Sequence, residues 1–142
     1  MNREVIILVA EDDDGHFDLI KRNLERSGIK NQIIRFKDGE EILNFLFKIS
    51  PSLPDDEKNS YIILLDIRMP KYNGAEVLEK IKTDENLKKI PVTMITTTDD
   101  PKEIEKCHLL GCNNYITKPV DYDKFVDTIR QLGLFLLVIE VP

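Results

Sequence analysis

Five short apolar runs alternate along this chain with five amphipathic helical patterns. That alternation constrains the fold more than any other feature. The runs are residues 5–10, 32–36, 61–65, 92–96 and 114–117. The first and third are apolar throughout rather than alternating, as expected for strands covered on both faces. Strands separated by helices imply right-handed crossovers, and so an α/β fold with a doubly wound parallel sheet.

The helices between the runs have legible ends. The first presents Phe17, Ile20 and Leu24 on one face and stops at Gly28, a residue type suited to the position after a helix. The second starts at Asp38, with Glu41 completing a capping box, and buries Ile42, Phe45 and Leu46. The third follows Asn73 and Gly74 and buries Val77, Leu78 and Ile81. The fourth has Asp100 as N-cap, Pro101 at the first helical position and Glu103 at the third. The fifth begins near residues 121–123 and presents Phe125, Val126, Ile129 and Leu132. Residues 49–60 carry two prolines and four charges without periodicity, and read as a surface loop.

Size and charge exclude several function classes. The chain has 142 residues, 42% of them hydrophobic, enough for one domain with its own core. Asp and Glu outnumber Lys and Arg by 26 to 20, for a net charge of −6. Nucleic-acid binding wants the opposite balance. The longest apolar runs, 5–10 and 134–139, have six residues against the roughly 20 of a membrane span. Cys107 and Cys112 have no partners that would complete a zinc site, and read as free thiols in a reducing compartment. The N-terminus lacks the small residues of a signal-peptide cleavage site. A soluble cytoplasmic protein is expected.

The chemistry-bearing residues sit where the strands end. Glu11 and Asp12 follow the first run, Asp66 the third, and Lys118 the fifth, while Thr96 ends the fourth. This is the edge on which open α/β sheets bind ligands. The second strand offers nothing comparable. Were the first and third strands neighbours, Glu11, Asp12 and Asp66 would share one pocket. Two unit charges about 4 Å apart repel by roughly 4 kcal/mol at an effective dielectric of 20, so such a pocket needs a cation. Hard oxygen ligands on a wet edge suit Mg²⁺. A cation, the Lys118 ammonium and the Thr96 hydroxyl around an aspartate form a phosphoryl-transfer arrangement. Taken singly, each residue has a plainer role: the acids could favour a helix N-terminus, Asp66 could cap a helix, Lys118 could be a loop charge, and Thr96 a strand filler. Their joint placement is far more specific.

In these motifs the chain resembles the receiver domains of two-component response regulators. The matching pieces are Ile-Leu-Val-Ala-Glu11-Asp12-Asp13, Leu-Leu-Asp66-Ile-Arg-Met-Pro70, Asn73-Gly74, Pro91-Val-Thr-Met-Ile-Thr96-Thr97 and Tyr115-Ile-Thr-Lys118-Pro119. The resemblance implies a flavodoxin-like (βα)5 fold with strand order 2-1-3-4-5. It implies a single receiver domain over residues 1–142, with a core of about 3–132 and an apolar extension over 133–142. Asp66 would be the phosphoacceptor. Asp12 would ligate Mg²⁺ (or Mn²⁺) directly, Glu11 through water, and the Arg68 backbone carbonyl would complete the protein ligands with Asp66. Lys118, Thr96 and Thr97 would meet the phosphoryl group, with Tyr115 turning inward as Thr96 moves. Arg68 and Thr98 would tune the lifetime of the acyl phosphate, Arg68 by shielding it from water. The Lys118–Pro119 bond is a candidate cis bond.

Three features narrow the resemblance. Glu-Asp replaces the commoner Asp-Asp pair, the spacing from Asp12 to Asp66 is longer than usual, and no output domain is expected after the fifth helix. Together they are similar to the stand-alone receivers that partner phytochrome-like sensor histidine kinases. The apolar tail 134–141 implies a homodimer through the fifth helix, with packing on its own domain as the alternative. Partner proteins are expected, and no nucleic acid or membrane. A phosphatase of the haloacid-dehalogenase type would want a second Asp two residues after Asp66, where Arg68 stands. An FMN binder would want hydroxyls and amides where residues 11–14 are all acidic. A degenerate, phosphorylation-independent adaptor fits poorly with a complete residue set.

Overall fold

The computed structural model describes residues 4–138. Five strands form one parallel sheet: β1 (Glu4–Ala10), β2 (Ile33–Phe36), β3 (Asn59–Leu65), β4 (Val92–Thr96) and β5 (Asn114–Thr117). Their order is β2-β1-β3-β4-β5, as the resemblance implies. The helices are α1 (Asp14–Arg26), α2 (Gly39–Ile49), α3 (Gly74–Thr83), α4 (Pro101–Leu110) and α5 (Tyr122–Val138).

Both faces of the sheet are covered, and each face has its own core. On one side Ile6, Leu8 and Ala10 of β1 pack with Ile42 and Leu46 of α2, Leu78 and Ile81 of α3, and Cys107 of α4. On the other, Ile7 and Val9 pack with Ile20 and Leu24 of α1 and Phe125, Ile129 and Leu132 of α5. Successive β1 residues point to opposite faces, so a strand between two helical layers reads as continuously apolar. Phe17, Phe45 and Val126, expected inside, are only half-buried; Phe45 instead covers Phe36 and Tyr61.

The helix ends follow local chemistry. The Asp13, Asp38, Asn73 and Asp100 side chains each accept an amide from the first turn that follows. The full capping box is at Asn73, where Glu76 returns a bond to the cap amide. At Asp38 the box is only half made, because the Glu41 carboxylate accepts from Lys37 N instead. Gly28 and Gly111 take the left-handed conformation after α1 and α4.

Two expectations need correction. Residues 49–60 are not all loop: Ser50–Asp55 form a 3-10 helix, and β3 already starts at Asn59. Pro51 lies in its first turn, where a missing N–H costs nothing. Secondly, no peptide bond among the described residues is cis, so Lys118–Pro119 is trans, the form ordinarily favoured even before proline. The fifth helix continues into the residues expected as an apolar extension. α5 runs to Val138, with Leu136 buried and Leu134 and Phe135 exposed. The last part of the apolar tail, residues 139–142, lies outside the described residues.

Candidate phosphoryl-transfer site

Strand register assembles the site. Ala10 pairs with Leu65 across β1 and β3, so Glu11 and Asp66 leave the sheet side by side. The Asp66 amide donates to the Ala10 carbonyl at 3.1 Å. Thr96 pairs with Thr117, and the Lys118 amide donates back to the Thr96 carbonyl at 2.6 Å. The start of α3 closes in behind Asp66. A Cβ on Gly74 would lie 2.2 Å from the Asp66 carbonyl oxygen, so only glycine fits there.

Glu11, Asp66, Thr96 and Lys118 are all buried, at 1%, 6%, 0% and 4% exposure. The Lys118 ammonium is ion-paired with Glu11 and lies 3.1 Å from Asp66 Oδ2. The Arg68 amide donates to Asp66 Oδ1 at 3.3 Å. Asp12 is exposed at the mouth. Carboxylate oxygens of Glu11, Asp12 and Asp66 lie within 4.8 Å of one another. Burial, and then the neighbouring charge of Asp66, push the Glu11 carboxyl up to about 7 despite Lys118. Three carboxylates face one ammonium. That surplus of negative charge and the all-oxygen donor set fit a hard divalent cation.

Beside the acids runs a second polar chain. Thr98 N donates to Thr96 Oγ1 at 3.4 Å, Arg68 Nε donates to Thr98 Oγ1 at 3.3 Å, and Tyr115 Oη donates to the Thr98 carbonyl at 2.7 Å. Thr98 thus joins the residue two beyond Asp66 to both expected switch residues. Burial raises the Tyr115 hydroxyl to about 12, so it remains a donor. Thr97 is exposed beside this chain.

Two participants escaped the sequence reading. Arg35 of β2 donates through Nε and Nη2 to the Glu11 carbonyl at 3.1 Å, and through Nη2 to that of Asp12 at 3.3 Å. Its Nη1 lies 2.6 Å from Asp14, and its guanidinium sits over the Phe17 ring. The second strand therefore does contribute, by clamping the backbone of the acid pair. A lone arginine in an otherwise apolar strand was the available signal. His16 is the other: its Nδ1 lies 3.1 Å from Lys118 Nζ. It is one of only two histidines, one turn after the acids. The cysteines belong elsewhere. Both are free and buried, and burial pushes the Cys107 thiol up to about 11, away from nucleophilic use.

A doubly wound sheet with buried acids, lysine and threonine at its carboxyl edge defines a receiver-type fold. The response regulator receiver domain family matches residues 7–130, and the chain belongs to it. Among solved structures, a response regulator receiver domain from Rhodospirillum rubrum is 43% identical, with a TM-score of 0.90 over 96% of both chains. The Mn²⁺-bound response regulator Rcp1 is 29% identical, covering 96% of this chain and 98% of its own, with a TM-score of 0.85. The phosphorylated cyanobacterial phytochrome response regulator RcpA is 30% identical, covering 99% of each, with a TM-score of 0.83. Receiver domains bind divalent metal and act in signalling with a sensor kinase. Among the described residues no helix is long and apolar enough to cross a membrane.

Proposed function

We propose that this chain is a phosphorylatable switch in which Asp66 accepts a phosphoryl group from a sensor histidine kinase. The observation that carries the reading is Asp66 itself. It is buried beside Lys118, and its carboxylate shares a 4.8 Å oxygen cluster with Glu11 and Asp12. An Asp66 oxygen attacks phosphorus, the phosphohistidine N–P bond breaks, and the imidazole nitrogen leaves with the electron pair. Asp12, Glu11, Asp66 and the Arg68 carbonyl would hold Mg²⁺ or Mn²⁺. When bound, the ion neutralises charge on the phosphoryl oxygens. Lys118 meets the same charge from the other side. The Thr96 hydroxyl, which accepts from the Thr98 amide, donates its O–H to a phosphoryl oxygen, Thr97 borders the group, and Tyr115 follows. Arg68, held by Thr98, screens the acyl phosphate from water.

The output is a change in protein contacts, with no turnover of an external substrate. A phytochrome-like kinase is the partner suggested by the likeness to RcpA, and the setting is the cytoplasm. A homodimer through α5 and the residues after it would cover Leu134 and Phe135, exposed at 60% and 41%. Mg²⁺-dependent labelling with acetyl phosphate tests the central reading. Wild type should label and Asp66→Asn should not. No label on wild type, or equal label on both, would refute it.

A further inference from the structure

We propose that His16 is a positioning residue for phosphoryl transfer, holding the Lys118 ammonium within reach of Asp66 through its Nδ1. This rests on the reading of Asp66 as the phosphoacceptor. An ammonium has three N–H donors. Lys118 is buried, so each donor needs an acceptor. Glu11 Oε1, Asp66 Oδ2 and His16 Nδ1 supply three. Two of these are carboxylates committed to the acid cluster, and their surroundings change when phosphate arrives. The third is an imidazole nitrogen outside the acid cluster.

Contacts outside the Glu11, Asp12 and Asp66 cluster hold His16 in place. The Asp13 carboxylate that caps α1 accepts the His16 amide at 2.9 Å. The imidazole lies against the Phe125 ring of α5, with centroids 5.9 Å apart. Its Nδ1 is 4.0 Å from Glu11 Oε1, at the back of the Lys118–Glu11 pair. A carboxylate here would add a fourth acid to a pocket already rich in charge. An apolar side chain would leave one ammonium N–H without an acceptor. The ammonium would then settle between Glu11 and Asp66, and the contact with the incoming phosphoryl oxygen would have to be won from two charged partners. With His16 in place, one bond stays constant while a carboxylate contact is exchanged.

The acceptor role requires the tautomer with its proton on Nε2. The His16 side chain is 40% exposed, so the imidazole is open to water.

The test is the rate of Mg²⁺-dependent labelling by acetyl phosphate across a range of donor concentrations. Wild type, His16→Phe, His16→Asn and Asp66→Asn are compared. Phe keeps the packing on Phe125 and removes the acceptor, whereas the Asn Oδ1 can replace Nδ1. His16→Phe should lower the maximal labelling rate about tenfold with unchanged half-saturating donor, while His16→Asn stays near wild type. A wild-type rate in His16→Phe, or equal losses in both variants, would overturn the inference while leaving the phosphoacceptor reading intact. Failure of wild type to label, or labelling of Asp66→Asn, removes both. A second measurement needs no turnover. Imidazole ¹⁵N shifts at about pH 8.5, above the ordinary histidine range, should show the Nε2–H tautomer in wild type and a displaced Nδ1 resonance in Lys118→Met, where that nitrogen loses its donor. Identical shifts would also overturn the inference.

Discussion

Glu11 shows how a single side chain can serve a site at a cost to stability. Its folded carboxyl titrates near 7, against an ordinary 4.5 in the unfolded chain. Between those values the folded protein binds a proton that the unfolded chain has released. Stability from this group is therefore complete below about pH 4.5 and is lost as pH rises through about 7. Urea unfolding in EDTA should show this decline, of about 1–3 kcal/mol. The Asp66 charge is part of the cause, so Asp66→Asn should weaken the pH dependence and stabilise the metal-free protein near pH 7. Undiminished pH dependence in that variant would count against the coupling. Lys118 moderates the conflict between the acids without removing it.

At the scale of elements, two junctions outside the site hold the layers in place. Asp84 follows α3, and its Oδ1 accepts the Ser50 hydroxyl and the amides of Asn86 and Leu87, all at 2.9 Å. Partial burial alone would raise this carboxyl, but the three donors outweigh it and hold it below the usual range. Asp84→Ala would free those donors and detach the 3-10 helix at Ser50–Asp55 from the end of α3. A loss of about 1–3 kcal/mol is expected in urea unfolding, with acetyl phosphate labelling unchanged. The second junction is between α1 and α5. A Cβ on Gly133 would lie 2.7 Å from Ser27 Cβ, so α5 approaches α1 as closely as glycine permits. Gly133→Ala should lower the thermal midpoint, by about 1–3 kcal/mol of stability. Adding Ser27→Gly should restore part of it; an equal or greater loss in the double variant would show that the clash lies elsewhere.

Across the whole molecule, sheet and helices act as a frame that holds like charges together. A ligand that binds only the folded state stabilises it, by about 2.7 kcal/mol at 100 times its dissociation constant. Mg²⁺ should therefore raise the unfolding midpoint of wild type, and do so far less in Asp12→Asn, which removes a cluster oxygen's charge. Equal shifts would place the ion somewhere else. The α5 surface makes a separate prediction. Leu134→Glu with Phe135→Glu should halve the solution mass if these exposed side chains form a dimer contact, as measured by light scattering. A monomer mass for wild type would refute the dimer.

The sequence by itself determined the five strands, the helix caps at Asp38 and Asp100, and which residues end the strands. Those are local properties, set by the two-residue and 3.6-residue periods and by capping chemistry. It also placed Glu11, Asp12, Asp66, Thr96 and Lys118 at strand ends, and family motifs supplied the order of the sheet. The 3-10 helix at 50–55 was hidden because two prolines mark a turn as readily as a helix start. Only the tertiary structure decided who touches whom. Lys118 meets Glu11, His16 and Asp66 across sequence separations of 107, 102 and 52 residues, and Arg35 reaches the acid pair from the neighbouring strand. Such contacts depend on register, since a one-residue slip turns every side chain on a strand to the opposite face. No local period records that register; it is set when both faces of the sheet are buried together.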